Sequence, residues 1–244
     1  MSKLNGFRGT RRAFLAGAAA SLLGGCSYSN PVMVNYFRPT DPYAPRMPGR
    51  GMFRPEPYRE ERSLYREMYG EMVDEGFVIP AVDLSKVPEQ YLRREVFLDS
   101  PERPGTVIVD TANRYLYLIR EQGNALRYGV GIGREGFAWS GRAVIQWKRK
   151  WPRWTPPDTM ISRQPELARY SAANGGKDPG LDNPLGARAL YIFQNGEDTL
   201  YRIHGTPEYW TIGRAVSSGC VRMMNQDVID LFNRVPNRSP VLVI

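Results

Sequence analysis

From about residue 104 onward, the chain is a series of short apolar runs separated by turn residues, and this pattern limits its fold more than any other feature. Runs 106–110 and 114–121 flank a Thr-Ala-Asn turn, and run 125–133 follows a Gly-Asn pair. Valine, isoleucine, tyrosine and other β-formers dominate these runs, which is typical of strands rather than helices. Similar runs occur at 142–151, 187–193, 200–206 and 240–244.

One segment near the C-terminus instead has the periodicity of an α-helix. We expect Asn225 to cap its N-terminus and Asp227 to lie in its first turn. The sequence therefore predicts a mainly β fold, an antiparallel β sandwich or flattened barrel, with one substantial helix after the cysteine at position 220. The apolar positions that define the helix are Met224, Val228, Leu231, Phe232 and Val235.

Composition agrees with this prediction. The 244 residues include 20 prolines, 24 glycines and 14 tyrosines, which favour strands and turns over a helical bundle. Residues 104–244 contain 18 Lys and Arg residues against 12 Asp and Glu residues, a net charge of +6. Such a charge favours a partner that bears carboxylates or phosphates, and it equally fits a basic surface that only confers solubility.

The first 25 residues are expected to be an export signal. Basic residues precede an apolar run over 13–25, which is too short to cross a bilayer as a mature helix. The stretch "LGGC" resembles the lipobox of bacterial lipoproteins, so Cys26 is the predicted lipidation site, the alternative being an ordinary signal with a chance cysteine. The stretch "TRRAFLA" resembles a twin-arginine signal, and the choice between the two export routes stays open.

The sequence divides the rest of the chain into three parts. Residues 26–76 are rich in Pro, Arg and Tyr and are predicted to form an extended tether, with a possible short helix between Glu61 and Gly76. Residues 77–103 are predicted to be a lead-in segment that packs on the domain surface. Residues 104–244 are the predicted catalytic domain.

His204 is the only histidine of the chain, and Cys220 is one of only two cysteines. A free thiol has a pKa of roughly 8.5, so a nucleophilic cysteine needs a base or a positive field, and histidine is the side chain that titrates near neutrality. The sixteen-residue separation lets the chain turn back and bring the two together. A buried structural cysteine with a core histidine is the alternative.

Lipidation of Cys26 would leave Cys220 as a lone exported thiol, whereas a Cys26–Cys220 disulfide is the rival interpretation. Gly219 would let the backbone approach closely and expose an oxyanion-binding amide. We also expect the predicted helix to start directly after Cys220 and to stabilise a thiolate. No metal or other cofactor is expected, because one histidine and one free cysteine cannot build a closed zinc site.

The stretch "HGT", an intervening glycine and "SSGCVRM" together resemble the signature of the L,D-transpeptidase catalytic domain, the YkuD family. Stretches 151–160 and 175–190 are similar to the substrate-side loop and the Asn-Pro-Leu-Gly stretch of that family. The resemblance covers roughly 104–244. The matching residues are His204, Gly205, Thr206, Gly213, Ser217, Gly219, Cys220, Arg222 and Met223.

This resemblance implies an antiparallel β sandwich and a peptidoglycan substrate. Cys220 would attack the carbonyl between the third and fourth residues of a stem peptide, release D-alanine and hold the rest as a thioester. His204 would take the thiol proton and return it to the leaving amine. The backbone carbonyl of Gly205 would orient the imidazole.

Further residues are candidates for substrate binding. Arg222 would bind a substrate carboxylate or pin its loop through backbone carbonyls. Many family members have a histidine where this chain has Ser218, so the oxyanion here would rely on backbone amides and the Ser218 hydroxyl. Nearby tryptophans would line a groove for glycan or peptide or belong to the core or an edge, and nearby cations would attract stem-peptide carboxylates or form a solvated edge that blocks strand pairing. The other substrate-binding candidates are Thr206, Trp154 and Trp210, and the groove candidates include Trp147, Trp151, Lys148, Arg149, Lys150 and Arg153.

The expected partners are peptidoglycan stem peptides as donor and acceptor, envelope proteins as further acceptors, and a membrane reached through the lipid anchor. The expected location is the periplasm, with the choice between inner and outer membrane open, and nucleic acid is not an expected partner. The alternatives are an L,D-carboxypeptidase on the same scaffold and a catalytically idle peptidoglycan-binding lipoprotein.

Overall fold

The computed structural model of the chain describes residues 57–133, 140–217 and 219–244. The predicted export signal, the lipidation site Cys26, the tether as far as residue 56 and Ser218 lie outside the described residues.

Thirteen strands and three α-helices make up the regular structure of the described residues, apart from short 3₁₀ turns. The helices are α1 (Pro57–Met68), α2 (Asp158–Arg163) and α3 (Asn225–Arg234). The strands are β1 (Met72–Asp74), β2 (Phe77–Ile79), β3 (Arg94–Phe97), β4 (Val107–Asp110), β5 (Tyr115–Ile119), β6 (Asn124–Gly129), β7 (Ile132–Gly133), β8 (Gly141–Lys150), β9 (Arg188–Gln194), β10 (Glu197–Thr206), β11 (Ala215–Ser217), β12 (Val221–Met224) and β13 (Ser239–Val243).

Nine of these strands form one large sheet in the order β12-β10-β9-β8-β13-β4-β5-β6-β3. The predictions of a mainly β fold and of a helix after Cys220 are confirmed. The sheet is mixed rather than wholly antiparallel, because β10 pairs in parallel with β12 and β13 pairs in parallel with β4. Both parallel partners follow long connections, which allow a strand to re-enter a sheet in the same direction as its neighbour.

Helix α3 covers one face of the sheet and completes the main core. Val228 and Leu231 of this helix, and Val235 directly after it, are buried against sheet residues such as Leu190 and Ile203. The predicted helical period is therefore the core-facing side of α3. The helix starts after β12 rather than directly after Cys220.

Asn225 does not cap α3, contrary to the prediction. The N-cap position is Met224, which makes no side-chain cap hydrogen bond. The Asn225 Oδ1 atom instead accepts a hydrogen bond of 2.9 Å from the backbone N–H of Ala187. The Asn225 side chain is buried, and the Ala187 N–H is its hydrogen-bond donor there.

Residues 57–103 are part of the same folded body as the sheet. Tyr65 and Tyr69 are buried in a cluster that includes Ile212 and Met224 from the C-terminal half. Strand β3 pairs with β6 and forms one edge of the large sheet. Within the range 26–76, where a short helix was predicted as possible, α1 runs from Pro57 to Met68 and β1 follows it.

An ion pair fixes the β1–β2 hairpin to the sheet. The Arg188 guanidinium, which is almost fully buried, donates two hydrogen bonds of 2.7 Å to the Asp74 carboxylate. Trp151 Nε1 donates a third bond to Asp74, also 2.7 Å long. A bidentate, tryptophan-supported pair of this kind is stronger than an exposed ion pair and holds the hairpin in one orientation.

A buried polar network joins the lead-in segment to α3. The Tyr69 hydroxyl donates to Asp227 Oδ2 at 3.2 Å and accepts from the Arg93 backbone N–H at 2.6 Å. Arg93 also lies 2.9 Å from Asp230, which accepts from the Tyr128 hydroxyl at 2.7 Å. Burial raises the pKa of Asp227 to about 7, although the positive charge of Arg93 and the Tyr69 hydrogen bond oppose the shift.

We expect Asp227→Asn to stabilise the protein above neutral pH. The folded pKa of about 7 lies above the ordinary unfolded value, so the stability that Asp227 contributes is lost as pH rises through about 7. Asparagine still accepts from Tyr69 and does not ionise. Relative to the wild type, the variant should gain about 2–3 kcal/mol in free energy of unfolding between pH 5 and pH 8.5, measured by urea denaturation at both pH values.

Asp230→Asn is the matched control for this prediction. Burial disfavours ionisation of Asp230, but hydrogen bonds from Arg234 and Tyr128 outweigh it and hold the pKa of the carboxyl below its ordinary value. This control should therefore lose stability at pH 8.5. Equal pH dependence in Asp227→Asn and the wild type would contradict the role given to Asp227.

Candidate active site

His204 lies in β10, and Cys220 directly precedes β12, the parallel neighbour of β10. In the parallel register, His204 is opposite Arg222 and Ile203 is opposite Val221. One step back along both chains, Cys220 is therefore opposite Arg202. Because strand residues alternate between faces, His204 and Cys220 both point away from the core that contains Ile203. Strand spacing places their Cα atoms about 8 Å apart, within reach for two side chains.

The imidazole of His204 is oriented by its own strand. Its Nδ1 atom lies 2.6 Å from the backbone carbonyl of Gly205. A carbonyl oxygen can only accept, so Nδ1 carries the proton and Nε2 is left as the basic nitrogen. Burial lowers the pKa of His204 to about 4, and the charges of Arg222 and Arg202 act in the same direction, against the Gly205 hydrogen bond. The ring is therefore neutral at pH 7.

Asn225 fixes the strand that carries His204. Its Oδ1 atom occupies the place of a side chain at two glycines, because a Cβ on either Gly205 or Gly186 would come within 2.3 Å of it. Strand β10, the 183–186 turn and the start of α3 therefore meet at one amide group. Sequence reasoning did not assign Asn225 to the site, and the only available indication was a polar residue directly after a strand.

Cys220 is half-buried and follows a glycine with a special backbone conformation. Gly219 has a φ of +125°, and a Cβ there would lie 3.2 Å from the Tyr201 ring, so any other residue would be strained. Burial raises the pKa of the Cys220 thiol, while a backbone hydrogen bond from Arg202 and the charges of Arg202 and Arg222 oppose the shift. The predicted stabilisation of a thiolate by the α3 N-terminus is wrong, because β12 separates them.

Arg222 joins β12, the strand that follows Cys220, to the loop that follows β10. Its Nη1 atom donates to Glu208 Oε2 at 2.9 Å. The backbone of Arg222 exchanges hydrogen bonds of 2.8 and 2.9 Å with Gly131. Thr206, which is buried, accepts from the Glu208 N–H through its hydroxyl at 3.1 Å. Arg222 and Thr206 thus both hold the 207–214 loop, and the contact of the guanidinium is a carboxylate rather than backbone carbonyls.

Tyr91, from the lead-in segment, packs against the 207–214 loop at Gly213. A Cβ on Gly213, whose φ is +81°, would lie 2.2 Å from the Tyr91 ring. A Cβ on Gly129 would lie 2.4 Å from the Tyr91 backbone and Cβ. Tyr91 is buried between these two glycines and tilts against Tyr115. The sequence motif includes Gly213, but nothing in one sequence reveals that Tyr91 requires it.

The two tryptophan candidates contact other parts of the molecule. Trp154 bridges to Lys177 and lies 6.1 Å from Tyr170, measured between ring centroids. Trp210 is 43% exposed and lies in a surface depression. Their substrate-binding role stays a prediction, and Ser218 lies outside the described residues. The residues that line the depression with Trp210 are Ser85, Lys86 and Arg214.

Neither a metal-ligand cluster nor a membrane-spanning helix occurs in the described part of the chain. Within 57–133, 140–217 and 219–244, no three His, Cys, Asp or Glu side chains come together as metal ligands. In the same ranges, none of the helices has the length and apolar character needed to span a bilayer.

Comparison with known proteins shows to which family the chain belongs. A family model described as the L,D-transpeptidase catalytic domain matches residues 104–243. The probable L,D-transpeptidase ErfK/SrfK of Escherichia coli K12 is 32% identical over 154 residues, which cover 62% of this chain and 47% of the relative. The probable L,D-transpeptidase YbiS of the same organism is 34% identical over 152 residues, or 59% and 45% of the two chains. The chain spans about half the length of these relatives.

Solved structures also resemble the chain. One, described as a probable carnitine operon oxidoreductase from Brucella melitensis, is 42% identical with a TM-score of 0.45 and covers 63% of this chain and 94% of that one. An L,D-transpeptidase from Mycobacterium smegmatis is 15% identical with a TM-score of 0.39, covering 57% and 58%. Because the family model spans more than half of the chain, the protein belongs to the L,D-transpeptidase catalytic-domain family.

Proposed function

We propose that the protein is a peptidoglycan L,D-transpeptidase that forms a thioester at Cys220 and transfers the acyl group to an amine. The observation that carries this proposal is the parallel pairing of the strand of His204 with the strand that directly follows Cys220. The Nδ1 proton of the imidazole is held by the Gly205 carbonyl, so Nε2 is the nitrogen that would act as the base. Family membership supports the same chemistry.

The resting pair is neutral in this mechanism. Burial lowers the pKa of His204 and raises that of Cys220, so the thiol keeps its proton until the substrate arrives. As the sulfur attacks the carbonyl carbon, the thiol proton passes to Nε2 of His204. The carbonyl bond opens to an oxyanion, which collapses to the thioester. The imidazolium then gives its proton to the leaving amine of D-alanine.

The second half-reaction reverses these steps with a new amine. An acceptor amine gives a proton to His204 and attacks the thioester carbonyl, and the thiolate leaves and recovers that proton. The backbone amides of Gly219 and Cys220 are the proposed oxyanion donors, because the glycine lets the chain turn tightly just before the sulfur. Ser218 is a further proposed contributor.

The cellular setting is also part of the proposal. Export through the signal at residues 1–25 and lipidation of Cys26 would anchor the enzyme to a membrane and place it in the periplasm, beside peptidoglycan. The acceptor amine would belong to another stem peptide or to an envelope protein. A carboxypeptidase would use water instead, and an idle binding lipoprotein would use no nucleophile.

The first test is formation of a covalent adduct. We expect incubation of the purified protein with a carbapenem to add one drug mass, seen by intact mass spectrometry, because a strained lactam carbonyl acylates an activated thiol. The adduct should persist in Cys26→Ala and vanish in Cys220→Ala, which separates the two cysteines of the chain. An unmodified wild type would favour the idle binding protein.

The second test follows the products and the base. With tetrapeptide muropeptides, the wild type should give cross-linked dimers, whereas tripeptides alone would indicate the carboxypeptidase. We expect His204→Ala to lower turnover about 10²–10⁴-fold, the usual contribution of a general base. Its circular dichroism should match the wild type. Full activity in this variant would remove His204 from the mechanism.

The third test is the pH dependence of kcat/KM. His204 must be neutral to act as a base, so the acid limb should be centred at about 4 rather than near the ordinary histidine value. Because the pKa of Cys220 is raised, the alkaline limb should lie above the range of an ordinary thiol. An acid limb near 6.5 would show instead an exposed imidazole.

A further inference from the structure

In the basic segment from residue 148 to 153, Lys148 and Arg149 have no acidic partner among the described residues, and of these two only Arg149 is exposed. Lys148 points to the α3 side of the sheet and donates to the Phe232 carbonyl at 2.6 Å. Lys150 pairs with Glu75, and Arg153 pairs with Asp178. Arg149 is exposed and makes no ion pair within the described part of the chain.

Arg149 is the first member of a stacked row that crosses the sheet. Its guanidinium carbon lies 5.0 Å from the centre of the Trp147 ring. Trp147 stacks on Tyr191 with ring centres 3.5 Å apart and 15° between the planes. The Arg202 guanidinium lies 4.4 Å from the Tyr191 ring centre on the other side. We call Arg149, Trp147, Tyr191 and Arg202 the stacked row.

The stacked row ends beside the nucleophile. Trp147 is paired with Tyr191 across β8 and β9, and Tyr191 is paired with Arg202 across β9 and β10. The Arg202 backbone in turn makes a hydrogen bond to Cys220. These side chains therefore lie on the face of the sheet opposite α3, in a line from β8 to the sulfur.

Arg202 and Arg149 differ in whether their charge is already paired with a carboxylate. Arg202 is held by two hydrogen bonds of 2.7 and 2.8 Å to Asp198, so its charge is largely neutralised and its position is fixed. Arg149 has no such carboxylate in the described residues. An anionic ligand would therefore find its cation at the far end of the row, away from Cys220.

The length of the row fits a peptide. Three strand spacings separate Trp147 from Cys220, which is about 14 Å. An extended peptide spans at most about 3.3–3.6 Å per residue, so the three stem residues before the attacked carbonyl span about 10–11 Å, and a carboxylate on a stem side chain would cover the rest of the distance. Trp147 and Tyr191 are half-buried and already stacked against each other and against the guanidinium groups. Their ring faces are thus occupied, which disfavours stacking of a sugar ring.

We propose that the stacked row is the docking surface for the extended, acidic part of the donor peptide that precedes the carbonyl attacked by Cys220, with a peptide carboxylate bound by Arg149. This proposal rests on the proposed function and names the part of the donor that the sheet recognises. Charge complementarity at Arg149 and continuity with the nucleophile identify the stem peptide, rather than the glycan, as the occupant.

Binding to a protein that cannot react tests the stacked row separately from catalysis. In the full chain with Cys220→Ala, calorimetry would give the Kd for the free tetrapeptide stem, for the disaccharide-tetrapeptide and for the disaccharide alone. We expect Arg149→Glu to raise the Kd for both peptide ligands about tenfold at low salt, and less at high salt. Arg149→Lys should recover part of the loss, and Trp147→Leu should weaken the same two ligands.

Arg66→Glu provides the matched charge reversal. Arg66 is an exposed arginine of α1, the helix that leads to the Tyr69 contact with α3, and its reversal should leave each Kd within about twofold. Equal binding by Arg149→Glu and its parent would overturn the proposal. So would a loss confined to the disaccharide. The proposed function fails by a different result, the absence of a carbapenem adduct at Cys220.

Discussion

The close approach of β10 to the start of α3 is the constraint on which the site depends. Asn225 fills the space that side chains at Gly186 and Gly205 would need, so three segments distant in sequence converge on one amide oxygen. That contact fixes the strand of His204, and the parallel register of β10 with β12 then sets the place of Cys220. A parallel pairing needs a long connection, and the 207–220 segment that provides it also contains four of the nine residues that match the motif.

Electrostatics follow from the same packing. A buried imidazole and a half-buried thiol, both beside Arg202 and Arg222, favour the uncharged forms of the pair. Local charges therefore do not create a resting thiolate, and β12 keeps the α3 N-terminus away from the sulfur. In the proposed mechanism, the proton transfer is coupled instead to the arrival of the acyl donor, so the resting thiol would stay protonated and weakly reactive.

The sequence predicted what is local or periodic. Alternation and turn residues gave the strands, the apolar period gave α3, and a motif gave His204 with Cys220. It could not predict contacts between distant segments: Asn225 seemed a helix cap because capping is the commonest local role of asparagine, and its actual donor is Ala187. The order of strands, the parallel pairs and the packing of residues 57–103 likewise depend on long-range partners that one sequence does not specify.

The packing of Tyr91 against two glycines limits which substitutions related chains can accept. Its ring and backbone lie where side chains at Gly213 and Gly129 would be, so the aromatic residue and the two glycines form a lock that spans the boundary of the recognised domain. Substitution at one member leaves either a clash or a void at the others. Related chains should therefore change these three positions together or keep all of them. A domain transferred without the lead-in segment would have a cavity at the place of Tyr91.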